Sequence, residues 1–327
     1  MKKEKLTIAQ AINKALDMAM EKEENIIIMG EDVGKNGGVF RVTEGLFEKY
    51  GEVRVIDTPL AESGIVGTAI GLSIGGFRPV VEIQFMDFMY PGLNHILGHL
   101  ARYRNRSRGK YPIRMVIRMP FGGGIHPPEH HSESLETPLL HTAGLKVVAP
   151  SSPYDAKGLM LSALESEDPI IFMEPKRVYR AFKEDVPLDY YKVPIGKANI
   201  LKEGKDLTII TFGAMVKVAL DAIEELSKSN YSVELIDLRT LNPLDVETIL
   251  SSVEKTGRAV VVHEAPKILG IGAEIAALIQ EKALLSLLAP VERVTGLDVP
   301  FPLAVLEHYY LPNKERIVNS AKKVLEY

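Results

Sequence analysis

Six short apolar runs in the first half of the chain, NIIIMG, VRVID, PVVEIQF, PIRMVIRM, LKVVAP and IIFME, alternate with longer stretches whose apolar residues recur at helical spacing. No other feature restricts the fold as strongly. Near-continuous β-branched runs belong to strands buried on both faces. Strands separated by helices run parallel, in a sheet covered on both sides. The alternation returns in DLTIITFG, SVELIDL, RAVVVHE and VERVTG. Between the two series, residues 175–205 are charged, tyrosine-bearing and irregular. The expected architecture is therefore α/β, with two parallel-sheet domains: 1–185, a linker at 186–200, and 201–327. A chain of 327 residues is long enough to give each domain a full core.

Local signals set the helices. Thr7-Ile-Ala-Gln10 reads as a capping box, and Ser152-Pro153 as an N-cap followed by proline at the first helical position. Asn242-Pro243 is read as the cap of a helix to Ser252, Phe88–Arg106 as one helix, and Lys314 onward as an amphipathic terminal helix. The helix after VRVID starts near Ala61 and ends at Gly75–Gly76. Within it Gly67, Gly71 and Gly75 recur every fourth residue and share a face. Each weakens a helix interior by roughly 1 kcal/mol against alanine, so three on one stripe imply that another backbone comes close. The apolar run is too short to span a bilayer, which takes about 20 residues. Glu62 is the acid in its first turn, where it complements the helix dipole or serves a ligand; position alone leaves both open.

A net charge of −4 argues against nucleic acid or an anionic membrane as main partner. The basic run Arg102, Arg104, Arg106, Arg108 and Lys110 fits a helix C-terminus and a subunit contact better than a nucleic-acid face. Absence of Cys excludes disulfides, thiolate metal sites and a cysteine nucleophile. The polar start MKKEKLTIAQ lacks the apolar core of a signal peptide, and the expected location is the cytoplasm of a prokaryote.

The segment from Gly122 to Glu136 is long and polar enough to be functional. His126-Pro-Pro-Glu129-His130 matches a zinc-peptidase pattern that works only on a helix, and two consecutive prolines preclude one, so no metal is assigned. His141, after Leu139–Leu140, is expected to be structural. Gly270-Ile-Gly272 imitates a dinucleotide fingerprint but lacks the third glycine and the tight strand-to-helix turn, so it is read as a helix start. No P-loop is present.

Taken together, GEDVG at Gly30–Gly34, DTPLAESGIVG at Asp57–Gly67, EIQF at Glu82–Phe85, HHSESLE at His130–Glu136, GLKVVAPSSPYDAKGL at Gly144–Leu159 and the later DLRTLNPLD are specific. Across nearly its whole length the chain resembles the beta subunit of the thiamine-diphosphate-dependent decarboxylase component of 2-oxo acid dehydrogenase complexes, of pyruvate or branched-chain type. The resemblance implies a pyrimidine-binding, transketolase-like domain followed by a transketolase C-terminal-like domain. It implies that Glu62 bonds the aminopyrimidine of thiamine diphosphate, that Phe88 stacks on it, that Leu60 lines the site and that Glu31 stands behind Glu62. His131 would line the active-site funnel and take part in acyl transfer to a lipoyl group, with His130 the alternative one alignment position away and His126 a further funnel residue. The Gly-Asp-Gly motif that holds magnesium and the diphosphate is missing, so a partner alpha subunit would supply that half in an α₂β₂ heterotetramer. The further partners implied are a 2-oxo acid and the lipoyl-bearing acyltransferase. Paired subunits would also explain the glycine stripe. The alternatives are a half-subunit of a transketolase-like enzyme acting on sugar phosphates and a non-catalytic assembly subunit.

Overall fold

The computed structural model describes residues 2–327. By compactness the chain divides into two units. One comprises residues up to Phe121 with Pro138–Ile195, the other Gly122–Thr137 with Gly196–Tyr327.

The first unit is built on six parallel strands: β2 (Ile26–Gly30), β3 (Val55–Asp57), β4 (Arg78–Glu82), β5 (Val116–Phe121), β6 (Lys146–Val148) and β7 (Ile170–Pro175), in the order β6-β7-β5-β4-β2-β3. The chain leaves β2 for β3 on one side and returns to β4 on the other, so a switch point lies at the C-terminal ends of β2 and β4. Helix Ile8–Lys22 opens with the expected capping box between Thr7 and Gln10 and buries Ile8, Ala11, Ile12, Ala15, Leu16 and Ala19. It packs on helix Pro153–Glu165, whose Ser152 cap accepts the Asp155 N–H at 3.1 Å. Helix Glu62–Ile74 follows β3. The single helix expected over 88–106 is instead a 3₁₀ segment, Met86–Gly92, then an α turn, a π turn at Ile96–Leu100 and an α segment Ala101–Arg106. Pro91, which has no N–H to donate, lies inside the 3₁₀ segment. The stretch read as irregular holds β8 (Glu184–Pro187), which pairs antiparallel with β1 (Lys3–Leu6). Each of these strands buries one residue, so neither leaves an apolar run to read.

The second unit has β10 (Leu207–Thr211), β11 (Val233–Asp237), β13 (Ala259–Val262) and β14 (Glu292–Val294) in parallel, with β9 (Asn199–Lys202) antiparallel at the edge, in the order β14-β13-β10-β11-β9. A short β12 covers Thr240–Asn242. The terminal helix Lys314–Leu325 buries Ile317, Val318, Ala321 and Val324 as its amphipathic pattern requires. The cap expected at Asn242-Pro243 is corrected. Asn242 ends β12, and the helix runs from Val246 to Thr256 with Asp245 as cap, its carboxylate accepting the Thr248 N–H at 3.3 Å. The segment 122–137, placed with the first domain by chain continuity, belongs to the second unit, because its backbone N–H groups bond Glu264 and Glu307 there.

Candidate active site

Glu31 directly follows β2, and Glu62 opens the helix after β3. Asp57, at the end of β3, accepts the Gly34 N–H at 2.6 Å and the Lys35 N–H at 3.2 Å and so holds the turn GEDVG. Gly30 must be glycine, since a Cβ there would lie 2.8 Å from the Glu82 carbonyl. This framework buries Glu31 and Glu62 together beside the switch point. The Glu31 carboxyl is held above its ordinary range by burial first and then by the charges of Glu62 and Asp32, against a hydrogen bond from the Ala61 backbone. Its Oε1 has no hydrogen-bond partner among the described residues. A buried carboxyl with an unused oxygen, coupled to a second carboxylate, is a site that can share a proton with a ligand nitrogen.

The structure brings Phe88 into the same neighbourhood through Gly92. Both lie on the 3₁₀ segment, and a Cβ on Gly92 would meet the Glu62 carbonyl oxygen and Val66 at 3.2 Å. The close backbone approach in this region is thus at Gly92. A Cβ on Gly71 would meet nothing within 4 Å among the described residues, and Gly71 and Gly75 are both exposed. Phe88 is half-buried, edge-on to Phe85 at 5.3 Å between centroids, and Phe85 in turn has the Lys176 ammonium 5.2 Å over its ring. Leu60 is 80% exposed and makes no wall within this chain.

A charged network behind this region escapes the sequence reading. Arg118 on β5 stands in register with Glu82 on β4 and donates to it at 2.6 Å. It also forks onto Glu174 of β7 at 2.7 and 3.0 Å, and Tyr179 donates to Glu174. Arg118 and Glu174 are fully buried. Burial opposes the guanidinium charge, but Glu174 and Glu82 raise its pKa above the ordinary value. The Glu82 carboxyl is raised by burial, with Arg118 opposing and Glu174 adding to the rise. The visible signal was a charge inside each of three strand runs, EIQF, VIRM and IFME.

In the second unit His131 sits in a one-turn 3₁₀ segment, Glu129–His131, half-buried, with its N–H on the Pro128 carbonyl at 3.1 Å. His130 and His126 are exposed. No α-helix forms over Glu129–His131. His141 is exposed, against expectation, because the apolar run before it buries Leu139 and turns the next residues outward. Gly270 and Gly272 are explained by His263. A Cβ on either would meet its ring, at 2.6 and 2.8 Å. The His263 imidazole is pushed down to about 4, first by burial and then by Arg293, and stays neutral.

Residues 4–181 match the transketolase pyrimidine-binding domain family, and residues 196–317 the transketolase C-terminal domain family. The chain is 54% identical over 322 residues to a protein of Staphylococcus epidermidis named pyruvate dehydrogenase E1 component subunit beta, covering 98% of this chain and 99% of that protein. It is 53% identical over the same length to the protein of that name from Staphylococcus aureus. A solved structure described as a split-gene transketolase, inactive beta4 tetramer, superposes with a TM-score of 0.81 at 24% identity and 98% coverage of both chains, which supports the fold alone. Thiamine-diphosphate enzymes are the setting of the pyrimidine-binding domain. The chain belongs to the family of pyruvate dehydrogenase E1 beta subunits, 2-oxo acid dehydrogenase components assembled from a transketolase-type pyrimidine-binding domain and a transketolase C-terminal domain.

Proposed function

We propose that this chain, with an alpha subunit in an α₂β₂ assembly, carries out the oxidative decarboxylation of a 2-oxo acid and the reductive acylation of a lipoyl group on an acyltransferase partner. The observation that carries this is the coupled, buried pair Glu31–Glu62 at the switch point of a pyrimidine-binding domain. Bound thiamine diphosphate supplies the nucleophilic carbon and the electron sink for decarboxylation. Glu62 bonds the ring nitrogen of the aminopyrimidine and holds a proton shared with it. Glu31, its carboxyl raised by burial first and then by the charge of Glu62, would stand behind Glu62. Phe88 would offer an aromatic face to the ring, and Leu60, exposed within this chain, would line the site. His131 serves the later step, orienting or protonating the opening lipoyl disulfide.

The domains of this reading are 1–185 and 201–327, joined by 186–200, with residues 122–137 grouped with the second unit. Magnesium and the diphosphate belong to the alpha subunit, since this chain lacks the Gly-Asp-Gly motif. Among the described residues no helix is long and apolar enough to cross a membrane, and the proposed location is the cytoplasm. The names of the relatives make pyruvate the first 2-oxo acid to test, with branched-chain 2-oxo acids as comparison. The test is Glu62→Gln in the reconstituted assembly. Decarboxylation with an artificial acceptor and acyl transfer to a lipoyl domain should fall together, on the order of 10²–10⁴-fold. Full activity in both assays would reduce Glu62 to a helix-dipole acid.

A further inference from the structure

Three consecutive glycines, Gly122, Gly123 and Gly124, open the segment that carries His131, and two buried acids of the second unit meet them. The Gly123 N–H donates to Glu264 Oε2 at 3.0 Å, and the Gly124 N–H donates to Glu307 Oε1. The glycines are required by this approach. A Cβ on Gly122 would lie 2.5 Å from Glu264 Oε2, and one on Gly123 would lie 2.7 Å from Glu307 Oε1 and 2.6 Å from the Phe301 ring. Gly122 and Gly124 also have positive φ, 82° and 94°. The loop is closed at its base by the Gly122 N–H on the Glu133 carbonyl at 3.1 Å, and His126 Nδ1 reaches the other Glu307 oxygen at 2.6 Å.

Both acids are themselves rigidly mounted. Glu307 is 1% exposed and begins a one-turn helix, Glu307–Tyr310, whose Tyr310 packs on Phe301 at 4.6 Å between centroids. Glu264 follows His263, whose ring is wedged against Gly270 and Gly272 at the start of helix Ile271–Ala283. Carboxylates that accept backbone N–H groups at buried positions form strong, charge-assisted bonds. Taken as a thioester-forming machine, the enzyme needs the 122–137 segment fixed far more than a surface loop would be.

We propose that Glu264 and Glu307 are positioning residues, a two-carboxylate clamp on the glycine run that sets the loop bearing His131 for the lipoyl step. The functional half of this rests on the reading of His131 given above. The clamp itself does not, and the experiment separates them.

In the reconstituted alpha–beta assembly, Glu264→Ala and Glu307→Ala should accelerate amide hydrogen exchange across residues 122–133 by roughly 10–100-fold, the loss expected for one charge-assisted bond each. Acyl transfer to a free lipoyl domain should drop about 10-fold or more, chiefly as a higher KM for that domain. The artificial-acceptor rate should stay within about 2-fold. Glu264→Gln and Glu307→Gln keep an acceptor oxygen and should restore most of the transfer. If the alanine variants do not assemble, Gly123→Ala applies the same displacement from the loop side and should show the same selective loss. Unchanged exchange in these variants, or equal loss of both activities, overturns the clamp. Faster exchange, combined with a His131→Ala enzyme that shows no selective loss of transfer, upholds the clamp and sinks the role given to His131.

Discussion

Glu136→Gln should stabilise the protein at pH 8 and leave it nearly unchanged at pH 5. Glu136 is fully buried, and neither carboxyl oxygen has a hydrogen-bond partner among the described residues. Burial first, then the charge of Glu264, pushes its carboxyl up to about 8, against a lowering contact with its own backbone. The folded state therefore binds a proton that the unfolded state releases near the ordinary value of 4.5. Between these two pH values the native state carries more protons, so unfolding free energy falls as pH rises, and the stability present below 4.5 is lost by 8. At 1.36 kcal/mol for each pH unit, the interval corresponds to an upper bound of about 5 kcal/mol. Relaxation and water entry, which give protein interiors an effective dielectric near 20, reduce this to roughly 2–3 kcal/mol. Glutamine has the shape of the neutral acid and no proton to lose. At about 2–4 °C for each kcal/mol in a domain of this size, the variant should melt about 4–12 °C above wild type at pH 8. Melting curves of both proteins from pH 5 to 8 measure it. A gap that does not change with pH, or a carboxyl carbon of Glu136 that titrates below pH 5.5 by NMR, would refute the reasoning.

The remaining expectations address the buried network, the glycine stripe and the two histidines. Arg118→Ala leaves Glu82 and Glu174 buried without their shared cation and should cost about 3–5 kcal/mol in denaturant unfolding; Arg118→Lys should not rescue it, because the fork onto Glu174 is lost. Gly71→Leu should leave the fold of the single chain intact, since a Cβ there would meet nothing within 4 Å among the described residues, yet weaken the assembly by about 1–3 kcal/mol if a second backbone lies on that stripe; light scattering that shows an unchanged α₂β₂ species would remove the stripe from the interface. His131→Ala should lose transfer to the lipoyl domain far more than artificial-acceptor activity, and His130→Ala should not; the reverse pattern would move the role to His130. The isolated chain should bind thiamine diphosphate weakly, and calorimetry that finds tight magnesium-dependent binding by this chain alone would defeat the half-site argument.

Much of the fold was legible because burial on both faces of a parallel sheet writes itself as continuous apolar runs. NIIIMG, PVVEIQF and IIFME became β2, β4 and β7, and Thr7 and Ser152 capped the helices that they announced. Elements whose residues are half exposed gave no such run, so β1, β8 and β9 were not seen. Asn242-Pro243 misled because Asn and Asp are equivalent as caps locally, and the fold uses Asp245. The motif around Glu62 was legible, but the burial of Glu62 beside Glu31 depends on Asp57 holding the turn after β2 and on Gly92 meeting the helix start. The sequence by itself determined the alternation, the two-domain order and the positions of the glycines. Only the tertiary structure decided which carboxylates lie near which groups: Arg118 with Glu82 and Glu174 across three strands, and Glu264 and Glu307 on a loop more than a hundred residues earlier. The physical reason is range. Hydrophobic periodicity and capping act over a few residues, whereas pairing of buried charges is fixed by strand order and register, which no local pattern encodes.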